Sequence, residues 1–447
     1  MNLAMTAHAS LFPSEAEISQ ILVERIDRQQ QGVGMVIGTF GPAGRQVVAH
    51  GRFGAFHTRP VDGDTVFEIG SITKVFTTLL LGEMVGRGEV ALDDPLARYL
   101  PASVTVPTRA GRQITLTDLA THTSGLPRLP DNFAPDDDEN PYADYTVEQM
   151  YDFLSAYQLP RDIGDHYEYS NLGMGLLGHA LARAAGMEFA PLLHQRVLAP
   201  LRMTSTAIDA TPEMQARLAL GHDADLMPVA NWDLPTLAGA GALKSTVDDL
   251  FKLIEMVLEG RPSQLARAFE TTLSIRRPTD DSGPETALGW LVSGDGDNQA
   301  ILHDGGTGGY RSFLAIMPAK RIGVVGLSNT ATEIGVNDIC AHILDRDNPL
   351  LPAPRKRVVA RIDPNLHDRY VGIYRLAPSF EIAITRDAEG LFAQATGQGR
   401  HEIFPENDRQ FFLKIVDAQI SFDIGPDGRA TALTLHQNGR NTLGPRV

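Results

Sequence analysis

The sequence predicts an α+β protein with one large mixed domain and a small all-β domain behind it. Three features carry this. A helix and a strand hairpin open the chain, residues 71–260 read as mostly helical, and strands return after about 286. A proline-rich stretch at 345–365 is then followed by short strand candidates with no helical pattern. Strands early and late around a helical middle place both ends of the first domain in a single sheet. We set boundaries at 1–344 for that domain, 345–362 for a linker and 363–447 for the second domain.

Each element follows from local pattern. Residues 14–30 put Ile18, Ile21, Leu22 and Ile26 at helical spacing, with Ser14 as N-cap and Glu17 as its capping-box partner. GVGMVIGTF and RQVVAHGRFG are strand-like runs around a Gly-Pro-Ala-Gly turn. TKVFTTLLLGEMVGRG, SNLGMGLLGHALARAAG and TVDDLFKLIEMVLEG read as helices that end at glycines. The acidic loop PRLPDNFAPDDDENPYADY is long enough to be a lid or site wall, and Asp136–Glu139 within it read as a solvated run. ALGWLVS, SFLAIMPA and RIGVVGLSN are the returning strands. In the tail, YVGIYRL, SFEIAITRD, LFAQAT, HEIFP, QFFLKIV, AQISFDIG and ATALTLHQN form a beaded series that fits a small antiparallel barrel or sandwich.

Composition narrows the function. Of 447 residues, 55 are Asp or Glu and 39 Lys or Arg, a formal charge of -16 that would repel a phosphate backbone and excludes nucleic acid as a general partner. The single cysteine, Cys340, excludes an internal disulfide and a cysteine-based zinc cluster. No run approaches the ~20 apolar residues of a membrane span. The N-terminus lacks a positive region before its apolar start, so no signal peptide is expected and the cytoplasm is the expected compartment. A chain whose leader had been removed would read the same and would be periplasmic or secreted.

Three segments can do chemistry. In Gly70-Ser71-Ile72-Thr73-Lys74, Ser71 and Lys74 share a helix face at the positive end of the helix dipole. Apolar neighbours desolvate Lys74 and favour its neutral amine, which makes a general base beside a nucleophile. Alone, Ser-x-x-Lys is a common helical pattern with Ser as cap and Lys in water. In Tyr169-Ser170-Asn171, a phenol could relay protons, with phenolate favoured by a nearby ammonium, while Asn171 could donate to a substrate carbonyl and accept from Lys74. The plain alternative is a turn with a packed aromatic. In His303-Asp304-Gly305-Gly306-Thr307-Gly308-Gly309-Tyr310, the glycines let backbone approach a ligand, and one N–H there together with that of Ser71 could form an oxyanion hole. The alternative is a hairpin turn. No Gly-Lys-Ser/Thr follows, so it is not a phosphate loop.

Taken in order, Ser71-x-x-Lys74, Tyr169-x-Asn171 and His303-x-Gly305 resemble the serine β-lactamase and penicillin-binding-protein superfamily, and within it the class C, D-aminopeptidase and family VIII carboxylesterase branch. LTDLATHTSGLP (116–127), PLRMTST (200–206) and GALKSTVDDL (241–250) extend the resemblance over about residues 15–335. It implies an antiparallel sheet of five or more strands flanked by helices, with an all-helical subdomain inserted. The tail is similar to the lipocalin-like barrel attached to some of these enzymes. The resemblance implies Ser71 as the acylated nucleophile, Lys74 as its base partner and Tyr169 as the proton shuttle. It implies Asn171 as the holder of a substrate amide, His303 where many relatives carry lysine, and the N–H groups of Ser71 and Gly306 as the oxyanion hole. Asp304, Gly305 and Arg311 are the remaining candidate substrate contacts, Arg311 as a replacement cation. No cofactor and no metal are implied.

The departures from the family pattern shape the expected activity. His-Asp-Gly stands for Lys-Thr-Gly, the proline that commonly precedes the tyrosine motif is missing from IGDHYE, and no Glu-x-x-x-Asn motif occurs. A mostly neutral histidine is a poor substitute for a permanent cation. The implied activity is therefore cleavage of esters, amides or D-amino-acid peptides through an acyl-enzyme, with at most weak β-lactam hydrolysis. Acyl transfer or peptide cyclisation by the same intermediate, and a non-catalytic penicillin-binding sensor or scaffold, are the alternatives. The expected partner is a small-molecule or peptide substrate.

Of the other candidates, His122 reads as a structural hydrogen-bonding residue and His166 as rim or surface. His222 with Asp223 and Asp225 lacks the array of a catalytic metal site. Met84, Met174 and Met203 read as packing. Trp232 and Trp290 flank the motifs and could wall an acyl pocket, Trp290 more simply as core.

Overall fold

The structure is a computed structural model describing residues 12–447 apart from 281–282, 354–356, 358, 378–379, 388–389, 397, 415–417 and 438–439. The N-terminal stretch read for a signal peptide lies largely outside the described residues. The chain divides into two compact units, Met1–Ala353 and Pro354–Val447. The division falls within the proline-rich stretch.

The first unit opens with helix α1 (Glu15–Val23), whose Ser14–Glu17 capping box forms as the sequence requires. Strands β1 (Gly34–Gly41) and β2 (Gly44–Gly51) follow as a hairpin. Helix α2 (Thr73–Gly86) carries the Ser-x-x-Lys segment at its start. The helical middle contains α3 (Leu116–Ala120), α4 (Val147–Ala156), α5 (Asn171–Ala185), α6 (Val247–Glu259) and α7 (Gln264–Thr272). Strands then return as β3 (Arg277–Pro278), β4 (Glu285–Thr286), β5 (Leu291–Ser293), β6 (Ala300–Gly306), β7 (Arg311–Met317) and β8 (Ile322–Ser328), before helix α8 (Asn337–Leu344).

Among the described residues these make one eight-stranded antiparallel sheet in the order β2-β1-β8-β7-β6-β5-β4-β3. The first hairpin joins the last strand, with Met35 opposite Ser328 and Phe40 opposite Gly323. Side chains alternate across a strand, and the two faces have separate cores. Met35, Ile37, Phe313, Ala315 and Val324 pack under α1 and α8, with Ile18, Leu22, Ile339 and Ile343. Val36, Leu314, Ile316, Val325 and Leu327 face the helical side, where Leu250, Phe251 and Ile254 of α6 meet them. Both faces are covered by helices, as the class implied.

The His303–Gly306 segment is the end of strand β6, paired with β7 from Ile301↔Ile316 to Gly306↔Arg311, so of the two readings the sequence offered it is sheet and not a hairpin turn. Its other neighbour, β5, pairs only with residues 300–302. The far end of β6 therefore has a bare flank, and the Ser71 turn packs against it.

The second unit is an antiparallel meander of eight strands among the described residues: β9 (Gly372–Ala377), β10 (Phe380–Arg386), β11 (Leu391–Ala395), β12 (Arg400–Pro405), β13 (Gln410–Phe412), β14 (Ala418–Ile424), β15 (Ala430–Gln437) and β16 (Arg440–Pro445). The last strand was absent from the sequence reading. The chain end returns to the first strand: a bridge joins Tyr374 to Arg446, and Val447 N–H donates to Ile373 O at 2.9 Å, so the sheet is nearly a closed barrel. Tyr370, Tyr374, Phe411, Phe422, Ile420 and Leu433 fill its interior.

Candidate active site

Ser71 sits in a short 3-10 turn (Gly70–Ile72) that leads into α2. Close apposition of that turn to β6 fixes its position. Gly70 adopts a φ of +48°, and a Cβ there would meet Gly306 N and O at 2.7 Å. A Cβ on Gly305 would lie 2.2 Å from Ile69 O and 3.0 Å from Ser71 N. Glycine at both positions is what lets the strand backbone lie against the serine. Ser312 Oγ on β7 donates to Ile69 O at 2.8 Å and ties the turn to the sheet.

Lys74, one turn into α2, is fully buried. Its Nζ lies 2.9 Å from Ser71 Oγ, 3.0 Å from Asn171 Oδ1 and 2.7 Å from Ala240 O. Burial pushes its pKa well below the usual lysine value, the charge of Arg128 pushes the same way, and Asp304 opposes. A neutral amine has two hydrogens and one lone pair. Asn171 Oδ1 and Ala240 O accept the two hydrogens, which leaves the lone pair to Ser71 O–H. That count is the arrangement of a base poised on a nucleophile.

The Tyr169 phenol lies close enough to Ser71 for the hydroxyl to bear on its titration. Its ring stacks on His122 at 4.6 Å between centroids, with Lys74 Nζ 4.7 Å and Arg128 Cζ 5.2 Å from the ring centroid. Burial raises the phenol pKa, outweighing the influence of the Ser71 hydroxyl and the Arg128 charge. The phenolate expectation is thus corrected. Burial also biases Lys74 toward its neutral amine, which weakens any hold on a phenolate, and the resting group is a phenol able to donate.

Asn171 begins α5, whose N-cap Ser170 accepts from Gly173 N–H at 2.8 Å. Both ends of the Asn171 amide are occupied: Oδ1 by Lys74, and Nδ2 by donation to Tyr142 OH at 3.2 Å. Tyr142 comes from the long acidic loop, which therefore does form a wall of the site. Tyr142 also packs against Trp232 at 5.3 Å, and Asn140 beside it exchanges hydrogen bonds with Asp233. The sequence reading did not name Tyr142 or Arg128. An aromatic pair inside an otherwise acidic loop, PYADY, was the available signal for the first.

His303 is buried and its ring lies 6.2 Å from that of Tyr169. Burial first, then the neighbouring Lys74, lower its pKa to about 4. Nδ1 is 2.5 Å from its own chain's Asp304 O and so carries the hydrogen. His303 is a neutral imidazole beside the reacting groups. Asp304 faces the opposite side of the strand, exposed, and accepts from Asn337 Nδ2 at 3.0 Å. Arg311 donates to the carbonyls of Thr307, Tyr310 and Ala331, so its guanidinium braces the 307–310 turn. The structure thus brings together Ser71, Lys74, Tyr169, Asn171, His303, Gly305 and Gly306. It turns Asp304 outward and commits Arg311 to backbone.

The remaining candidates fall into place around this centre. His122 Nδ1 accepts from Ser170 N–H at 3.1 Å, and burial keeps the ring neutral. His166 is exposed, as are Asp136–Glu139. His222 uses both ring nitrogens, to Ala55 N–H and Asn329 O, while Asp223 Oδ1 accepts two N–H groups of its own turn. Among the described residues no group of three His, Cys, Asp or Glu is placed to hold a metal ion. Met84, Met174, Met203 and Trp290 are buried, Trp290 against Phe269. Among the described residues no helix is long and apolar enough to cross a membrane.

Comparison with known proteins gives the chain a family. The family described as Beta-lactamase matches residues 20–344. The chain belongs to the Beta-lactamase family. Residues 356–443 match a second family, described as a domain of unknown function, DUF3471. The β-lactamase relatives include the Bacillus subtilis penicillin-binding protein 4*, 27% identical over 94% of this chain and 96% of its own length. The Escherichia coli D-alanyl-D-alanine-carboxypeptidase/endopeptidase AmpH is 32% identical over 65% of this chain and 79% of its own. Among solved structures, a β-lactamase/D-alanine carboxypeptidase from Yersinia pestis superposes with a TM-score of 0.63 at 27% identity, covering 75% of this chain and 98% of that one. Membership in this β-lactamase family implies a hydrolase.

Proposed function

We propose that the protein is a serine hydrolase that forms an acyl-enzyme on Ser71 and cleaves esters, amides or D-amino-acid peptides. The observation that carries this is the buried Lys74 amine, 2.9 Å from Ser71 Oγ, with its other two contacts both to carbonyl oxygens. In acylation Ser71 Oγ bonds to the substrate carbonyl carbon while its proton passes to Lys74 Nζ. The oxyanion is held by the N–H groups of Ser71 and Gly306. As the carbonyl collapses, the leaving group departs with the Tyr169 phenol proton, and Lys74 returns its proton to Tyr169. Water then attacks the ester carbon, its proton taken by the same pair, and Ser71 Oγ leaves protonated.

The neutral His303 fits modest rather than strong β-lactam turnover, because no permanent cation stands at that position. The relatives named as D-alanyl-D-alanine and D-alanine carboxypeptidases favour D-configured peptides as the first substrates to try. The machinery lies wholly within the first unit, which we assign as the hydrolase domain at 1–344, with 345–362 as linker and 363–447 as the barrel domain. The test is incubation with 4-nitrophenyl esters and with acyl-D-Ala-D-Ala peptides, followed by intact-mass analysis. An acyl mass on Ser71 is expected and should vanish in Ser71→Ala. Turnover unchanged in that variant would overturn the assignment.

A further inference from the structure

Arg128 is the second residue of the acidic loop at 127–145, and its side chain has as yet no role. Its backbone is fixed. Arg128 O accepts from Asn171 N–H at 3.0 Å and Leu172 N–H at 3.2 Å, and Pro127 O accepts from Ser170 Oγ at 2.6 Å. The residue is therefore clamped to the first turn of α5, beside Asn171. Its side chain is exposed, with the guanidinium carbon 5.2 Å from the centre of the Tyr169 ring. Its charge is felt at Lys74, His122, Tyr142, Tyr167 and Tyr169, which places it at the mouth of the reacting centre.

The other basic groups near the site are spoken for. Lys74 is buried on three oxygen neighbours, His303 is neutral, and Arg311 is bound to three carbonyls. Among the described residues, the Tyr169 ring is the one partner of the Arg128 guanidinium. A permanently charged, five-donor group fixed by its backbone but open to solvent is suited to a carboxylate, which it can grip with two parallel hydrogen bonds.

We propose that Arg128 is the anion-recognising residue of this site, and that the preferred substrates carry a carboxylate next to the scissile bond. The inference rests on the acyl-enzyme reading above and adds a substrate class to it. It also has a chemical consequence. Arg128 depresses Lys74, so an anion on Arg128 relieves that depression and makes the amine a stronger base when such a substrate is bound.

The carboxylate can sit on the leaving group or on the acyl group, and two substrate pairs separate these. The first is diacetyl-Lys-D-Ala-D-Ala against its C-terminal carboxamide. The second is mono(4-nitrophenyl) glutarate against 4-nitrophenyl valerate. For each pair, kcat/KM is measured in wild type and Arg128→Gln, and the Ser71 adduct is followed by mass. Wild type should favour the anionic member of at least one pair by roughly 10- to 100-fold, and Arg128→Gln should bring that ratio close to one. The pair that responds tells which side of the scissile bond carries the anion. Equal rates within both wild-type pairs, or a ratio that survives in Arg128→Gln, would overturn the inference while leaving Ser71 acylation intact. Absence of any Ser71 adduct would instead remove the underlying reading, and this inference with it.

Discussion

Adding one methyl group at Gly305 tests the site geometry directly. In Gly305→Ala the new Cβ would lie 2.2 Å from the carbonyl oxygen of Ile69 and 2.4 Å from Ser312 Oγ, where real Cβ atoms essentially never come within 3.0 Å. The hydroxyl can rotate away, but the carbonyl belongs to the backbone that carries Ser71. Strand and serine turn must therefore part by roughly 0.8 Å, and the proposed oxyanion pocket between Ser71 N–H and Gly306 N–H widens with them. A displacement of ~1 Å in reacting groups typically costs ~100-fold in rate. The assay is the pre-steady-state acylation rate with 4-nitrophenyl acetate, with thermal unfolding to confirm a folded variant. Ser312→Ala is the companion: it removes the 2.8 Å bond to Ile69 O without steric pressure and should cost only a few-fold. Acylation of Gly305→Ala within threefold of wild type would refute the argument that strand–turn contact sets the pocket.

Two further outcomes follow from buried groups. His303 titrates near 6.5 when free and at about 4 in the fold, so between those values the unfolded chain binds a proton that the native protein does not. Its contribution to stability is present above about pH 6.5 and is lost as pH falls toward 4. Thermal midpoints should drop by several degrees from pH 7 to 4.5, and less so in His303→Asn; parallel profiles would contradict this. Arg25 and Asp338 form a two-bond ion pair at 3.1 and 2.6 Å, with side chains 3% and 4% exposed, and Leu351 N–H also donates to Asp338. Asp338→Ala leaves a buried guanidinium unpaired and should destabilise by ~3–5 kcal/mol in denaturant titration. A loss below ~1 kcal/mol would show that water reaches the arginine.

Much of this architecture was legible because the responsible signals are local. The Ser14–Glu17 capping box, the apolar periodicity of α2, α5 and α6, and their terminal glycines need no knowledge of the rest of the chain. The end of strand β6 was legible only through the apolar strand that follows it, because His-Asp-Gly-Gly itself has poor strand character. It is a strand because β7 pairs with it, and it is glycine-rich because the Ser71 turn presses on its flank. Strand β16 escaped because its polar start and Gly-Pro end resemble a turn, while its structure comes from closing the sheet. Ser71, Lys74, Tyr169, Asn171 and His303 could be gathered from motif order alone. Tyr142 and Arg128 could not, since each reaches the site through the path of a loop, and neighbours far apart in the chain set what they touch.

The pairing of β1 with β8 also bears on how the protein is made. Met35 cannot find Ser328 until nearly three hundred further residues exist, and Ser71 has no strand to lean on until residues 303–306 emerge. A ribosome-bound chain halted before that point holds Ser71 and Lys74 at the start of one helix but no pocket around them. Such distant contacts make assembly slow and leave the early hairpin with an open edge while it waits. Catalytic competence in this family architecture is accordingly a late event in biogenesis, and premature termination yields inert polypeptide rather than a weakened hydrolase.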